Sequence, residues 1–283
     1  MSRWAEETLY EDCKFCLKLE KLLYERSSEH QSLLVAENLS FGRVLYLDGV
    51  LQTTEADEFI YHEMMAHVPI LAHGRAESVL IIGGGDGGML REVLKHQTID
   101  RVVQVEIDPD VIAFCREHLP NHSQGSFDDP RLELVIADGK DYLDDCGERF
   151  DIVIIDSTDP IGPGEALFTP DFYQACKTAL DEDGILVTQN GVPFLQPDEL
   201  RNTMRAFRAL FQDTSCYLAA VPTYIGGAMA FGWGSDRPEP RQTNLEVLKA
   251  RYRDADLELR YLNPEVHQAS FALPTFVREL VEG

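Results

Sequence analysis

What this sequence has least of is positive charge. Its 283 residues carry 25 Lys and Arg against 49 Asp and Glu, a formal charge of −24. Such a surface repels phosphate backbones and anionic membranes, which excludes nucleic-acid and membrane-surface partners and favours small cations. Long apolar runs are also missing, and none approaches the roughly 20 residues of a membrane span. The opening Met1-Ser-Arg-Trp-Ala-Glu-Glu lacks the apolar centre of a secretion signal, so a cytoplasmic location is expected. Cysteines stand scattered at 13, 16, 115, 146, 176 and 216, as reduced thiols do. Cys13-Lys-Phe-Cys16 has no further ligands at zinc spacing. His62-Glu-Met-Met-Ala-His67 has one residue too many for a zinc-protease helix, because residues five apart lie about 140° apart. No metal is expected.

What the chain does have is organised around Val79-Leu-Ile-Ile-Gly-Gly-Gly-Asp-Gly-Gly88. The four apolar residues read as a buried strand, and Met89, Leu90, Val93 and Leu94 begin a helix after the loop. Gly83, Gly85 and Gly88 have the spacing G-x-G-x-x-G, which suits close approach of a nucleotide-like ligand. Asp86 inside that loop is unusual, because a pyrophosphate cradle should be neutral or positive. Two readings stay open for it: contact with a cationic group, or a cap on the following helix.

Before this stretch, residues 16–24, 32–36, 42–47 and 50–52 read as strands, with a hairpin turn at Asp48-Gly49. They predict a small antiparallel β domain over residues 1–66. A helix from about Ala56 to Ala66 follows, limited or kinked by Pro69. Residues 67–283 then alternate strand and helix, with strands at 79–82, 101–107, 132–136, 150–155 and 184–189. This predicts an α/β, Rossmann-like, doubly wound parallel sheet. Residues 215–221 and 227–233 add an antiparallel edge hairpin.

In such sheets ligands collect at the carboxyl ends of the strands, and the polar residues there are mostly acids. Asp86 follows the first strand, Glu106 ends the second, Asp138 the third, and Asp156 and Asp159 the fourth. Each alone is explicable as a cap or turn residue, but their agreement points to a site. Glu106 stands where a ribose diol is held in Rossmann-type folds. Asp138 with Gly139 suits an adenine amino group. Asp86, Asp156 and Asp159 would surround the reactive end and repel one another unless cations neutralise them. The long loop 156–168 reads equally as a lid or as a rigid turn.

These pieces together resemble the bacterial spermidine synthases, which are polyamine aminopropyltransferases. The resemblance runs from Trp4 to Ala269-Ser-Phe-Ala-Leu-Pro274. It is carried by Gln52-Thr-Thr-Glu-Ala-Asp-Glu-Phe-Ile-Tyr-His-Glu-Met64, Gly83-Gly-Gly-Asp-Gly-Gly88, Asp156-Ser-Thr-Asp-Pro-Ile-Gly-Pro163 and Pro222-Thr-Tyr224. It implies aminopropyl transfer from decarboxylated S-adenosylmethionine, a co-substrate rather than a cofactor, to putrescine. Spermidine and methylthioadenosine would result. It places Gln31, Glu106, Asp138, Gly139 and Pro163 at the nucleoside and Asp86 at the donor's ammonium. Tyr61, His62, Asp159, Gln189 and Tyr224 fall around the amine acceptor, and Asp156 is the proton acceptor. A homodimer or larger homo-oligomer is implied. After Gln189 the chain reads Asn190-Gly191 where animal members carry Gly-Glu, so acceptor contacts differ there.

An ordinary carboxylate is a poor base for an alkylamine, whose pKa is about 10.4. Desolvation and crowding by Asp159 are expected to raise Asp156. Three rivals share parts of this pattern: an amine N-methyltransferase, an NAD-dependent dehydrogenase and a polyamine-binding sensor. Asp86 favours a donor without a carboxylate, and the strand-end acids disfavour the dehydrogenase.

Overall fold

The computed structural model describes residues 3–27, 32–160 and 162–283. Strand β1 (Arg3–Glu6) pairs antiparallel with β2 (Cys16–Leu19). Strands β3 (Lys21–Ser27), β4 (Ser32–Asn38), β5 (Gly42–Leu47) and β6 (Val50–Thr54) form a four-stranded antiparallel sheet in that order. Residues 16–24 are therefore not one strand, as their alternation suggests. The chain changes sheets at Glu20, whose N–H reaches the Glu37 carbonyl. Leu17 and Leu19 still share one core with Val44 and Leu51, so the pattern is right about burial and silent about the break. β1 is mostly exposed and carries no pattern to read.

Helix α1 (Glu58–His73) continues past Pro69 to a left-handed Gly74. It is longer than the sequence suggests because it is buried along almost all its length, and packing outweighs the hydrogen bond that proline removes. The chain then alternates through β7 (Ser78–Gly83), α2 (Gly88–Leu94), β8 (Arg101–Glu106), α3 (Pro109–His118) and α4 (Pro120–Ser123). Next come β9 (Leu132–Ile136), α5 (Gly139–Asp145), β10 (Phe150–Asp156), α6 (Pro170–Thr178) and β11 (Leu180–Gln189). The remainder is α7 (Pro197–Leu210), β12 (Asp213–Ala219), β13 (Met229–Ser235), α8 (Leu245–Ala255), α9 (Pro264–Ser270) and α10 (Thr275–Glu282).

The large sheet has seven strands in the order β12-β13-β11-β10-β7-β8-β9. From β11 to β9 it is parallel, and β13 enters antiparallel between β11 and β12. The expected edge hairpin is present, with a longer turn than the pattern suggests. The chain leaves β7 toward β8 and β9, then returns to place β10 on its other side. The switch point thus lies between the carboxyl ends of β7 and β10, where open α/β sheets take ligands. Among the described residues no helix is long and apolar enough to cross a membrane.

Candidate active site

At the switch point Asp156 pairs in register with Gly83. A Cβ on Gly83 would lie 2.1 Å from the Asp156 carbonyl oxygen, and the φ of +88° there also favours glycine. The N–H of Gly84 donates to that carbonyl at 2.9 Å. The other two glycines of the motif serve a different need, which is room. A Cβ on Gly85 would sit 2.8 Å from Glu106 Oε2, and one on Gly88 2.3 Å from the His62 ring. Gln104, buried in the middle of β8, donates its amide to the Gly83 and Gly84 carbonyls at 2.9 and 2.7 Å and fixes the loop from below. A lone glutamine among valines was the sequence signal for it.

Asp86 has partners within the chain on both sides. Its Oδ1 accepts from the Gly88 N–H at 2.7 Å, at the start of α2. Its Oδ2 faces His62 Nε2 at 3.6 Å. Next to it, Asp156 Oδ1 accepts from the Tyr61 hydroxyl at 2.7 Å. Burial pushes Asp156 up to about 6; the His62 charge opposes this and Asp86 adds to it. The carboxylate that crowds it is therefore Asp86, and not Asp159 as the sequence suggests. Tyr61 packs edge-on against Tyr224, with ring centroids 6.1 Å apart. The Tyr224 hydroxyl donates to the Gln52 carbonyl at 2.5 Å, tying this wall to the N-terminal sheet. Asp57, which sequence reading passes over, accepts from the Thr223 N–H and hydroxyl at 2.9 and 2.7 Å and from Thr54 at 2.5 Å.

Asp159 lies further along. Burial raises it, and its Oδ1 accepts from Gln196 Nε2 at 2.8 Å. The same amide reaches Glu199 Oε2 at 3.3 Å. A cavity of about 350 Å³ opens here, lined by Tyr10, Asp159, Leu195, Gln196 and Glu199 among others. Burial and Asp159 push Glu199 up to about 9. Gln189, almost fully buried, donates to the Thr158 carbonyl at 3.3 Å and accepts from the Gly191 N–H at 2.9 Å.

Toward the other edge, Glu106 is buried and pushed up to about 7, although the N–H groups of Asp108 and Ile107 work against burial. Asp138 stands beside it in the adjoining strand end, where the Ala137 N–H meets the Glu106 carbonyl. The Asp138 carboxylate caps α5, accepting from Lys140 and Asp141 N–H at 2.8 and 3.3 Å. Gly139 packs close to Ile82. Gln31 and the side chain of Pro163 lie outside the described residues.

Asp86, Glu106, Asp156 and Asp159 thus lie near one another, while the Asp138 carboxylate turns to its own helix. Asp86 and Asp156 are in direct electrostatic contact, Glu106 feels Asp156, and Tyr224 feels Asp86, Asp156 and Asp159 together. Sequence reading missed the support beneath them. Glu58 Oε2 meets His62 Nδ1 at 2.5 Å and is clamped by Arg91 at 3.1 and 2.9 Å. Only the i, i+4 spacing of Glu58 and His62 was visible in advance. His62 and His67 face different partners: His67 meets Glu92 and His96, each at 2.8 Å.

The geometry has relatives. A profile described as the spermine/spermidine synthase domain matches residues 58–244, and one described as the spermidine synthase tetramerisation domain matches residues 3–55. A polyamine aminopropyltransferase of Ruegeria sp. (strain TM1040) is 57% identical over 277 residues, covering 98% of each chain. Polyamine aminopropyltransferase 1 of Pseudomonas aeruginosa is 57% identical over 276 residues, covering 98% of this chain and 96% of that one. A crystal structure of spermidine synthase in complex with the transition state analogue AdoDATO superposes with a TM-score of 0.93 at 41% identity, covering 100% of this chain and 97% of that one. The spermidine synthase from Thermotoga maritima superposes at 0.90 and 39% identity, covering 100% and 96%.

Proposed function

The chain belongs to the spermine/spermidine synthase family of polyamine aminopropyltransferases, and from that premise we propose that it transfers the aminopropyl group of decarboxylated S-adenosylmethionine to putrescine. The observation that carries this reading is the placement of Asp86 and Asp156 together at the switch point, where among the described residues the imidazole of His62 is the base that faces them. Such a pair calls for cationic ligands.

In the proposed reaction the acceptor nitrogen attacks the carbon next to the sulfonium, in line. The C–N bond forms and the C–S bond breaks, and its electron pair returns sulfur to a neutral thioether in methylthioadenosine. Asp156 takes the proton from the attacking nitrogen. The balance closes without a redox partner, so no cofactor is called for. A carboxylate moved from 3.8 to about 6 is about two units closer to the amine, which removes roughly 3 kcal/mol from the proton transfer at 1.36 kcal/mol per unit. Glu106, Asp138 and Gly139 would hold the nucleoside, together with Gln31 and Pro163. Asp86 would hold the donor's ammonium and repel the carboxylate of ordinary S-adenosylmethionine. Tyr61, His62, Asp159, Gln189 and Tyr224 would line the acceptor. The N-terminal profile, with Trp4, Leu22 and Leu39 exposed on that part, supports assembly into a homo-oligomer.

The test is to incubate the protein with either donor and a panel of diamines, and to follow products by mass. The expected result is an aminopropyl gain on putrescine from the decarboxylated donor, with release of methylthioadenosine. A methyl gain from intact S-adenosylmethionine, or binding without product, would sink the reading.

A further inference from the structure

His62 stands at the end of a buried ionic row. Asp86 faces its Nε2 at 3.6 Å, and Glu58 its Nδ1 at 2.5 Å. Both NH groups of Arg91 reach Glu58, its Nε reaches Glu92 at 2.7 Å, and Glu92 reaches His67 at 2.8 Å. The side chains of His62, Glu58, Arg91, Glu92 and His67 are 4, 9, 8, 1 and 0% exposed. Acidic and basic side chains alternate along the row from Asp86 inward.

A neutral imidazole has one N–H and cannot donate on both sides. With Glu58 in hydrogen-bond contact at Nδ1 and the Asp86 carboxylate at ion-pair distance from Nε2, the doubly protonated ring is the form that both favour. The groups facing the ring are Glu58 and Tyr61 from α1, Asp86 from the glycine loop, Asp156 from β10 and His122 from α4, with Arg91 from α2 behind Glu58. Three of these are carboxylates. The guanidinium among them is already engaged by Glu58, Glu92 and the carbonyls of Asn121 and His122.

Resting on the reading of this pocket as an aminopropyl-transfer site, we propose that Glu58 is a positioning residue of the reaction: clamped by Arg91, it keeps His62 an imidazolium, and that charge sets how readily Asp156 is ionised. Burial alone would lower His62, but Asp86 and Glu58 outweigh it and hold it at about 9. The same charge works against the rise of Asp156. Without it, Asp86 and Asp156 face each other uncompensated, and Asp156 keeps its proton to higher pH. A protonated Asp156 cannot accept from the amine.

Glu58→Gln keeps the size and the acceptor oxygen for Arg91 but removes the charge. The acid limb of kcat/KM for the donor, at saturating diamine, is compared with that of the parent. Substrate ionisations are common to both, so the difference belongs to the protein. The limb is expected to move up by on the order of one pH unit. His62→Gln is expected to move it likewise, and adding Glu58→Gln to that variant is expected to move it no further. Ring nitrogen NMR is expected to find His62 doubly protonated through pH 8 in the parent and titrating lower in Glu58→Gln. A purely structural Glu58 would lower stability or rate and leave the limb in place. A neutral His62 in the parent at pH 7.5, or an unmoved limb in Glu58→Gln, overturns the proposal. If Glu58→Gln does not fold, the parent's spectrum and the His62→Gln limb decide. Failure of the wider reading would show differently, as absence of aminopropyl transfer in the parent, with the ring's protonation still measurable.

Discussion

Two sets of carboxylates, only a few side chains apart, are driven in opposite directions. In the seam between α1 and α2, burial would raise Glu58, but His62 and Arg91 bring it down to about 2; Glu92 is likewise held low against burial by His67, Arg91 and Lys95. On the rim of the pocket, burial raises Asp156 to about 6 and Glu106 to about 7, and it also raises Asp159. Burial acts on both sets in the same sense. What differs is the supply of cations. The seam carries its own, while the base that faces Asp86 and Asp156 on the rim, among the described residues, is His62. Buried carboxylates without a resident cation, held at raised pKa, are characteristic of functional sites.

This contrast can be broken at either end. The largest effect is expected at the rim. Asp156→Asn should lower kcat by about 10²- to 10⁴-fold while leaving donor affinity nearly intact. Equal turnover, measured with saturating substrates, would remove Asp156 from the proton-accepting role. In the seam, Arg91→Met strands Glu58 and Glu92 and should cost about 3–5 kcal/mol of stability in urea unfolding. A loss below 1 kcal/mol would mean that the seam is as dispensable as a surface ion pair. Asp86→Asn should weaken the decarboxylated donor by roughly 10- to 100-fold and narrow its advantage over S-adenosylmethionine, as loss of a charged hydrogen-bonding partner does. An unchanged ratio of kcat/KM for the two donors would free Asp86 from that task.

The smallest effect is in the pH dependence of stability. Asp156 and Glu106 have folded pKa values above their unfolded ones, so between about pH 4 and 7 the native state binds more protons than the unfolded state. Stability from these groups therefore falls as pH rises through that window. The seam has the opposite sign: Glu58 contributes above its unfolded value of 4.5 and loses that contribution as pH falls toward about 2. Melting curves should show a shallower decline from pH 4.5 to 7 in Asp156→Asn than in the parent. A parallel decline in both would mean that Asp156 is not strained by its surroundings.

The same contrast explains what could be read from the sequence. The rim acids sit at strand ends, and strand ends follow from local apolar patterning, so Asp86, Glu106, Asp138, Asp156 and Asp159 were legible before any coordinates. So was the doubly wound sheet. The seam was not, because Glu58 and Arg91 meet across 33 residues and two helices. Gln196 reaches Asp159 across 37 residues in the same way. The sheet change at Glu20 escaped notice because leucines flank it closely on both sides, at 17 and 19 and at 22 and 23, with no turn residue between. Asp138 shows the limit from the other side: the position was right, but its carboxylate is engaged by the N–H groups of its own helix.

One feature of α1 bears on how the molecule comes together in time. Asp57, just before its first turn, takes donors from Thr223, and Glu63 on the next turn takes the N–H groups of Arg260, Tyr261 and Leu262 at 2.8, 2.9 and 2.8 Å. Both acids are made early in synthesis, and their partners emerge more than 160 residues later. A nascent chain released short of its final quarter would lack the Thr223 and Arg260 to Leu262 donors that these carboxylates take. The grip of Glu63 on residues 260–262 would then be made last, after every strand of the sheet has emerged.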